Sequence, residues 1–257
     1  MLHGGPGNGF QVQADMEPLF QNRTGWWRIY PDLPGMGKTP APDWLNNQDQ
    51  VLEIVAEFVQ VVAPNQRFVV SGLSYGGYLA RGLVYKQGAI IDGVLLTVPP
   101  IETDPHKRVA PLHQVLFEDS DFLSSLTPAE ENFLNLFVIR SLEVLEWIRI
   151  NSMPGVSVAN YTFWGRLWEH FAFSFPVDKL AAPFPGPTLI LAGRQDSNCG
   201  YQEVWEILEN YPRATFAVLD RAGHFLFADQ QALFRALTNE WLDRVEEYIA
   251  RSSASIK

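Results

Sequence analysis

Ser71-Gly72-Leu73-Ser74-Tyr75-Gly76-Gly77 separates the apolar run Arg67-Phe68-Val69-Val70 from Tyr78-Leu79-Ala80-Arg81-Gly82-Leu83-Val84-Tyr85. The first flank reads as a buried strand and the second as a helix, so the heptapeptide is a strand-to-helix turn. A Gly-x-Ser-x-Gly spacing at such a turn is the pattern of a nucleophile elbow. The turn strains the serine's backbone and leaves no room for side chains beside it, a demand met by glycine at 72 and 76. The helix starting just after Ser74 aims unpaired N–H groups and the positive end of its dipole at the serine, which suits a developing oxyanion.

Working outward, strands and helices alternate. Gln11 to Gln21 reads as a short helix, and Trp26-Trp27-Arg28-Ile29-Tyr30 as a strand ending in the turn Asp32-Leu33-Pro34-Gly35-Met36-Gly37. Asn46 or Asn47 can cap a helix carrying Val51, Ile54, Val55, Phe58 and Val62 at i, i+3, i+4 spacing. Residues 90–98 form a further apolar run closed by Pro99-Pro100. Such alternation implies crossover connections and a mostly parallel sheet flanked by helices. From 101 to 183 the rhythm changes to helices without strands, starting with a capping box at Thr127-Pro128-Ala129-Glu130, then an apolar stripe from Leu134 to Leu145 and a segment opened by Asn160. This region reads as a helical cap inserted into a core built from 1–100 and 184–257. Alternation resumes with a strand at 188–192, a helix from Tyr201 to Tyr211, a strand at 214–219 and a closing helix from Ala228 to about Ala250; Ser252-Ser253-Ala254-Ser255 reads as a frayed tail.

Composition narrows the function. At 257 residues and 47% apolar, the chain can bury one large core. A net charge of -10 argues against nucleic acid as a partner. One cysteine, Cys199, allows no internal disulfide and no cysteine-based metal cluster. No apolar run is long enough to span a membrane and no signal peptide is visible, so a cytoplasmic location is expected, with the choice between monomer and homodimer left open.

A serine hydroxyl needs a base, and the base needs an orienting acid. Asp196 lies just past the strand at 188–192, and His224 just past the strand at 214–219. The order Ser, Asp, His, with acid and base each in a loop after a strand, is the order expected with such an elbow. Asp104 is the alternative acid, and Asp220 reads as a strand-end charge. His106 and His113 read as ordinary cap residues and Cys199 as structural. One oxyanion donor is the amide of Tyr75; the other belongs to the loop His3-Gly4-Gly5-Pro6-Gly7, where Gly5 is favoured because Pro6 has no N–H.

Together these stretches resemble the α/β-hydrolase superfamily over nearly the whole chain. The loop at His3–Gly7 is similar to that of prolyl iminopeptidases and related esterases, and the turn at Asp32–Gly37 to the one after the family's fourth strand. The resemblance implies hydrolysis through an acyl-enzyme, with no metal or organic cofactor. Serine at the elbow separates the sequence from the dehalogenases and epoxide hydrolases of the fold. It departs from the family in one respect: two residues precede the oxyanion loop, where a hairpin and a central strand are usual. The N-terminal strands thus read as missing, and the start as truncated or misassigned.

The expected substrate is a small to medium apolar carboxylic ester. Trp164, Trp168, His170 and Phe225 are the candidate substrate contacts, with further aromatics in the cap at Trp147, Phe163, Phe171, Phe173 and Phe175. Prolyl iminopeptidases resemble the chain but need cap acids to hold an amino terminus; Glu143, Glu146 and Glu169 are candidates by location. Leu73 and Tyr75 depart from the elbow usual in those peptidases. Iminopeptidase activity, carbon–carbon bond hydrolysis and non-catalytic ligand binding are the alternatives.

Overall fold

The elbow strand stands at one end of the main sheet. In the computed structural model, which describes residues 1–254, β1 (Phe68–Leu73) pairs in parallel with β2 (Ile91–Thr97). β3 (Phe117–Glu118) and β4 (Ile139–Arg140) form a separate parallel pair. β5 (Thr188–Gly193) and β6 (Ala214–Leu219) complete the main sheet, whose order is β1-β2-β5-β6.

Before β1 lie α1 (Gly9–Met16) and α2 (Gln48–Val62), each with an asparagine N-cap: Asn8 accepts from Gln11 and Asn47 from Gln50. α3 (Tyr75–Gln87) follows the elbow. Between β2 and β5 run α4 (Phe122–Ser125), α5 (Pro128–Glu131), α6 (Leu142–Asn151), α7 (Met153–Ser157) and α8 (Tyr161–Glu169). After β5 come α9 (Val204–Ile207), α10 (Leu226–Asp229) and α11 (Gln231–Ala254).

Alternation along the strands divides the core into two layers. Val94, Leu96 and Ile190 pack with α2 and α3, whereas Leu95, Leu189 and Leu191 pack with α1, α6 and Trp241 of α11. The segment between β2 and β5 contributes to both layers, through Phe163, Leu167 and Phe173 in one and Phe122, Phe137 and Leu145 in the other. A buried guanidinium ties it to α3: Arg81 donates to both carboxylate oxygens of Asp178 and to Pro100 O.

Several expectations are corrected. Trp26–Tyr30 is extended but belongs to no strand. A strand exists only through its ladder partners, and among the described residues the main-chain bond this segment makes to another stretch of backbone is the one from the Met1 amine to Ile29 O at 2.8 Å. Leu2 alone holds a strand position there: its N–H donates to Ser71 O at 2.7 Å and its carbonyl accepts from Leu73 at 3.0 Å. Beside it opens a cavity of about 690 Å³ lined by Leu2, Trp26, Ile29, Phe68 and Val69 among others.

The segment 101–183 was expected to hold no strand, yet β3 and β4 pair there. The stripe from Leu134 to Leu145 is no continuous helix, because β4 interrupts it. The helix expected over Tyr201–Tyr211 shrinks to α9 and a 3₁₀ turn. The frayed tail is instead helical through Ala254, and Ser255 lies outside the described residues. No described helix is long and apolar enough to cross a membrane.

Candidate active site

The elbow takes the strained form its sequence demands. Ser74 has φ 50° and ψ −115°, a left-handed backbone that costs a non-glycine residue about 1–3 kcal/mol. A Cβ on Gly72 would stand 2.2 Å from Gly76 O, and one on Gly76 2.2 Å from Leu2 O. Neither position admits a side chain. Ser74 N–H donates to Thr97 O at 2.8 Å, fixing the turn to β2, and Ser74 O accepts from Gly77 at 2.8 Å to begin α3. The amide of Tyr75 lies among the first-turn N–H groups that have no partner inside a helix.

The loops after β5 and β6 approach closely: a Cβ on Gly193 would meet the carbonyls of Ala222 and Gly223 at 2.5 Å. Their side chains then line up on Ser74. Asp196 is fully buried. Its Oδ1 accepts from Asn198 N–H at 2.9 Å and Cys199 N–H at 3.0 Å, and its Oδ2 lies 3.0 Å from His224 Nδ1. His224 Nε2 is 3.0 Å from Ser74 Oγ. With the acceptor-only carboxylate on Nδ1, the proton sits there, and the Nε2 lone pair faces the serine hydroxyl. Burial pulls the His224 pKa down, but the Asp196 charge, with Cys199 beside it, more than reverses this and holds it above the usual value.

The loop His3–Gly7, the candidate oxyanion loop, lies against the serine. A Cβ on Gly4 would stand 3.5 Å from Ser74 Cβ. Gly5 is covered by the Trp164 indole, whose Cη2 would be 2.3 Å from a Cβ at that position. His3 braces the loop from below: its Nδ1 donates to Gly4 O at 2.6 Å and its Nε2 accepts from Leu33 N–H at 2.9 Å. Burial lowers the His3 pKa to about 4, so it stays neutral in this role. The turn supplying Leu33 is fixed by Asp32, whose carboxylate accepts from Gly9 and Lys38 amides, both at 2.8 Å.

The other sequence candidates are scattered. Trp164 is buried over Gly5 and edge-on to Tyr75, with centroids 4.9 Å apart. Trp168 is exposed and stacks on Phe171. His170 is exposed in a polar surface cleft with Asn46, Asp49, Arg166 and Glu169. Phe225 is buried behind His224 against Phe137. Asp104 is engaged with His106 and Lys107, and Asp220 with Gln195.

Beside Ser74, His224 and Asp196 stand two residues the sequence did not point to, Asn198 and Asp229, and one it read as structural, Cys199. Asn198 Nδ2 lies 3.3 Å from His224 Nε2 and 3.9 Å from Cys199 Sγ. Cys199 Sγ, an Asp196 oxygen and a His224 ring nitrogen all lie within 4.8 Å of one another. Asp229 accepts from Gly223 N–H at 2.8 Å, and its pKa is raised to about 7, chiefly by burial and further by Asp196. Asn198 lies two residues from Asp196, the one signal that could have pointed to it; Cys199, three residues away, was read as structural because nothing in the sequence gives it a base of its own.

The chain belongs to the alpha/beta hydrolase family, whose model matches residues 1–237. It is 22% identical to a pimeloyl-[acyl-carrier protein] methyl ester esterase of Legionella pneumophila (strain Corby), over 83% of each chain. It is 24% identical to a proline iminopeptidase of Xylella fastidiosa (strain Temecula1 / ATCC 700964), over 90% of this chain and 84% of that one. Among solved structures, an alpha/beta superfamily hydrolase from Oenococcus oeni PSU-1 superposes with a TM-score of 0.86 at 29% identity, covering 95% of this chain and 91% of the other. A thermophilic esterase from Thermogutta terrifontis shares the fold, with a TM-score of 0.65 at 21% identity, over 95% and 88% of the two chains.

Proposed function

We propose that the chain is a serine hydrolase of small to medium apolar carboxylic esters, working through Ser74, His224 and Asp196. The observation that carries this reading is the hydrogen-bonded line from Asp196 Oδ2 to His224 to Ser74 Oγ, with both contacts at 3.0 Å. His224 Nε2 takes the hydroxyl proton as Ser74 Oγ attacks the acyl carbon, and Asp196 stabilises the resulting imidazolium. The amides of Gly5 and Tyr75 hold the oxyanion. The imidazolium protonates the departing alcohol, and a water activated by the same histidine releases the acid. Segment 101–183 acts as the lid, with Trp164 as its contact with the reaction centre.

An ester is favoured over an amino-terminal proline. A substrate ammonium in an apolar pocket needs a buried carboxylate. Glu143, Glu146 and Glu169 are all exposed, and the buried Glu130 is occupied by Arg149. The test is labelling with a fluorophosphonate probe read by peptide mass spectrometry, alongside turnover of p-nitrophenyl esters and proline p-nitroanilide. Labelling at Ser74, its loss in Ser74→Ala and His224→Ala, and ester turnover above anilide turnover are expected. Folded protein that stays unlabelled would overturn the reading and favour a ligand-binding role.

A further inference from the structure

Asp196, Cys199 and His224 form a compact set of metal-ligating groups at the heart of the proposed reaction centre. Hydrolysis by the triad makes no use of the thiol. Its sulfur is nonetheless held against the catalytic imidazole by the backbone: Cys199 N–H donates to the same Asp196 carboxylate whose other oxygen orients His224. One polar hydrogen-bond donor, the Asn198 amide, lies beside both His224 Nε2 at 3.3 Å and Cys199 Sγ at 3.9 Å. The two softest donors of the site therefore flank one electropositive group, and a cation drawn to that place would meet both.

We propose that this grouping is an inhibitory site for a thiophilic divalent cation, zinc above all, bound by Cys199 Sγ and His224 Nε2. This rests on the reading of His224 as the catalytic base. The chemistry fits the donors. Thiolate and imidazole are preferred zinc ligands, with bonds of about 2.3 Å and 2.0 Å, which place the two donor atoms about 3.5 Å apart in a tetrahedral site. The Asn198 amide nitrogen stands between the two donors, 3.3 Å from Nε2 and 3.9 Å from Sγ, so its withdrawal and a rotation of the Cys199 side chain bring both donors onto one cation. Asp196 stays on Nδ1 and gives the carboxylate–histidine–metal arrangement that fixes the ring and raises its basicity. On binding, the thiol releases its proton to solvent and the cation takes the Nε2 lone pair. That lone pair is the one that must receive the Ser74 proton, so the loaded enzyme cannot generate its nucleophile. Removal of the cation restores it.

Cobalt(II) is the probe, with zinc sulfate as the inhibitor. Chelator-treated protein titrated with cobalt is expected to develop a thiolate-to-cobalt charge-transfer band in the near ultraviolet. The band is lost in Cys199→Ala and Cys199→Ser and retained in Ser74→Ala. Zinc is expected to block fluorophosphonate labelling reversibly, and either Cys199 variant to raise the zinc concentration needed by at least about tenfold. Wild-type protein giving no such band, or Cys199 variants as zinc-sensitive as wild type, would overturn the proposal. The wild-type band depends on no variant folding. If metal-free protein is not labelled yet the band forms and depends on Cys199, the metal site stands and the hydrolase reading falls. If the protein is labelled but no band forms, the hydrolase reading stands and the metal site falls.

Discussion

Replacing Gly5 by alanine tests how tightly the oxyanion loop is pinned. The added Cβ would stand 2.3 Å from Cη2 and 2.6 Å from Cζ2 of Trp164, about 1.1 Å short of ordinary contact at 3.4 Å. The indole cannot simply swing away, because it is buried and braced edge-on by Tyr75 at 4.9 Å and Trp168 at 5.8 Å. Overpacking of this kind costs about 1–3 kcal/mol, and the cheaper relief is for the loop backbone to move. In the proposed mechanism, a shift near 1 Å takes the Gly5 amide out of reach of the oxyanion. Loss of one such donor lowers turnover by about 100- to 1,000-fold. The loss should fall on kcat, with KM little changed, because the interaction is made in the transition state. Trp164→Ala opens the space, so Gly5→Ala in that background should lose far less. A double-mutant cycle in ester kinetics should show a coupling above about 1.4 kcal/mol, a factor of ten. A Gly5→Ala enzyme with wild-type kcat, or one equally impaired with and without Trp164, would refute the reasoning.

Three further outcomes are expected. His224 must be neutral to act, and its pKa is held above 6.5 by Asp196 against the opposing pull of burial. The pH–rate profile should therefore lose activity as pH falls through a value above 6.5, and Asp196→Asn should move that limb downward besides slowing turnover; an unmoved limb would count against the assignment. Asp178→Ala strands the fully buried Arg81 guanidinium and should cost about 3–5 kcal/mol in urea unfolding, whereas Arg81→Met should cost clearly less. The Arg149 guanidinium, chiefly, holds Glu130 at about 2 against an ordinary 4.5. Its stabilisation is thus complete above pH 4.5 and lost as pH falls through about 2, and Glu130→Gln should flatten that part of the acid-unfolding curve.

The parts of the fold legible in sequence were those set by local rules. The elbow is written by backbone crowding at 72 and 76, and the helix starts at 47, 127 and 160 by side-chain caps that the structure reproduces. The candidate acid and base were found because both follow β-strands. What failed depends on partners distant in the chain. Trp26–Tyr30 has the residues of a strand, but pairing across the sheet decides whether it is one. Trp168 lies one turn after the buried Trp164, yet it falls at the exposed end of α8. Cys199 read as structural because its nearness to His224 arises only when the loops after β5 and β6 meet.

The single indole at 164 also bears on how such a chain can diversify. A segment that only covered a reaction centre could be exchanged for another of different shape, leaving the chemistry beneath it intact. Here the Trp164 ring fills the space a side chain at Gly5 would need. A transplanted segment without that ring would free the loop beneath it, and one with a bulkier group would displace it. Recombination at this junction is therefore constrained to exchange Gly5 and its covering ring as one inherited unit, while the exposed faces of α6 and α8 are free to drift.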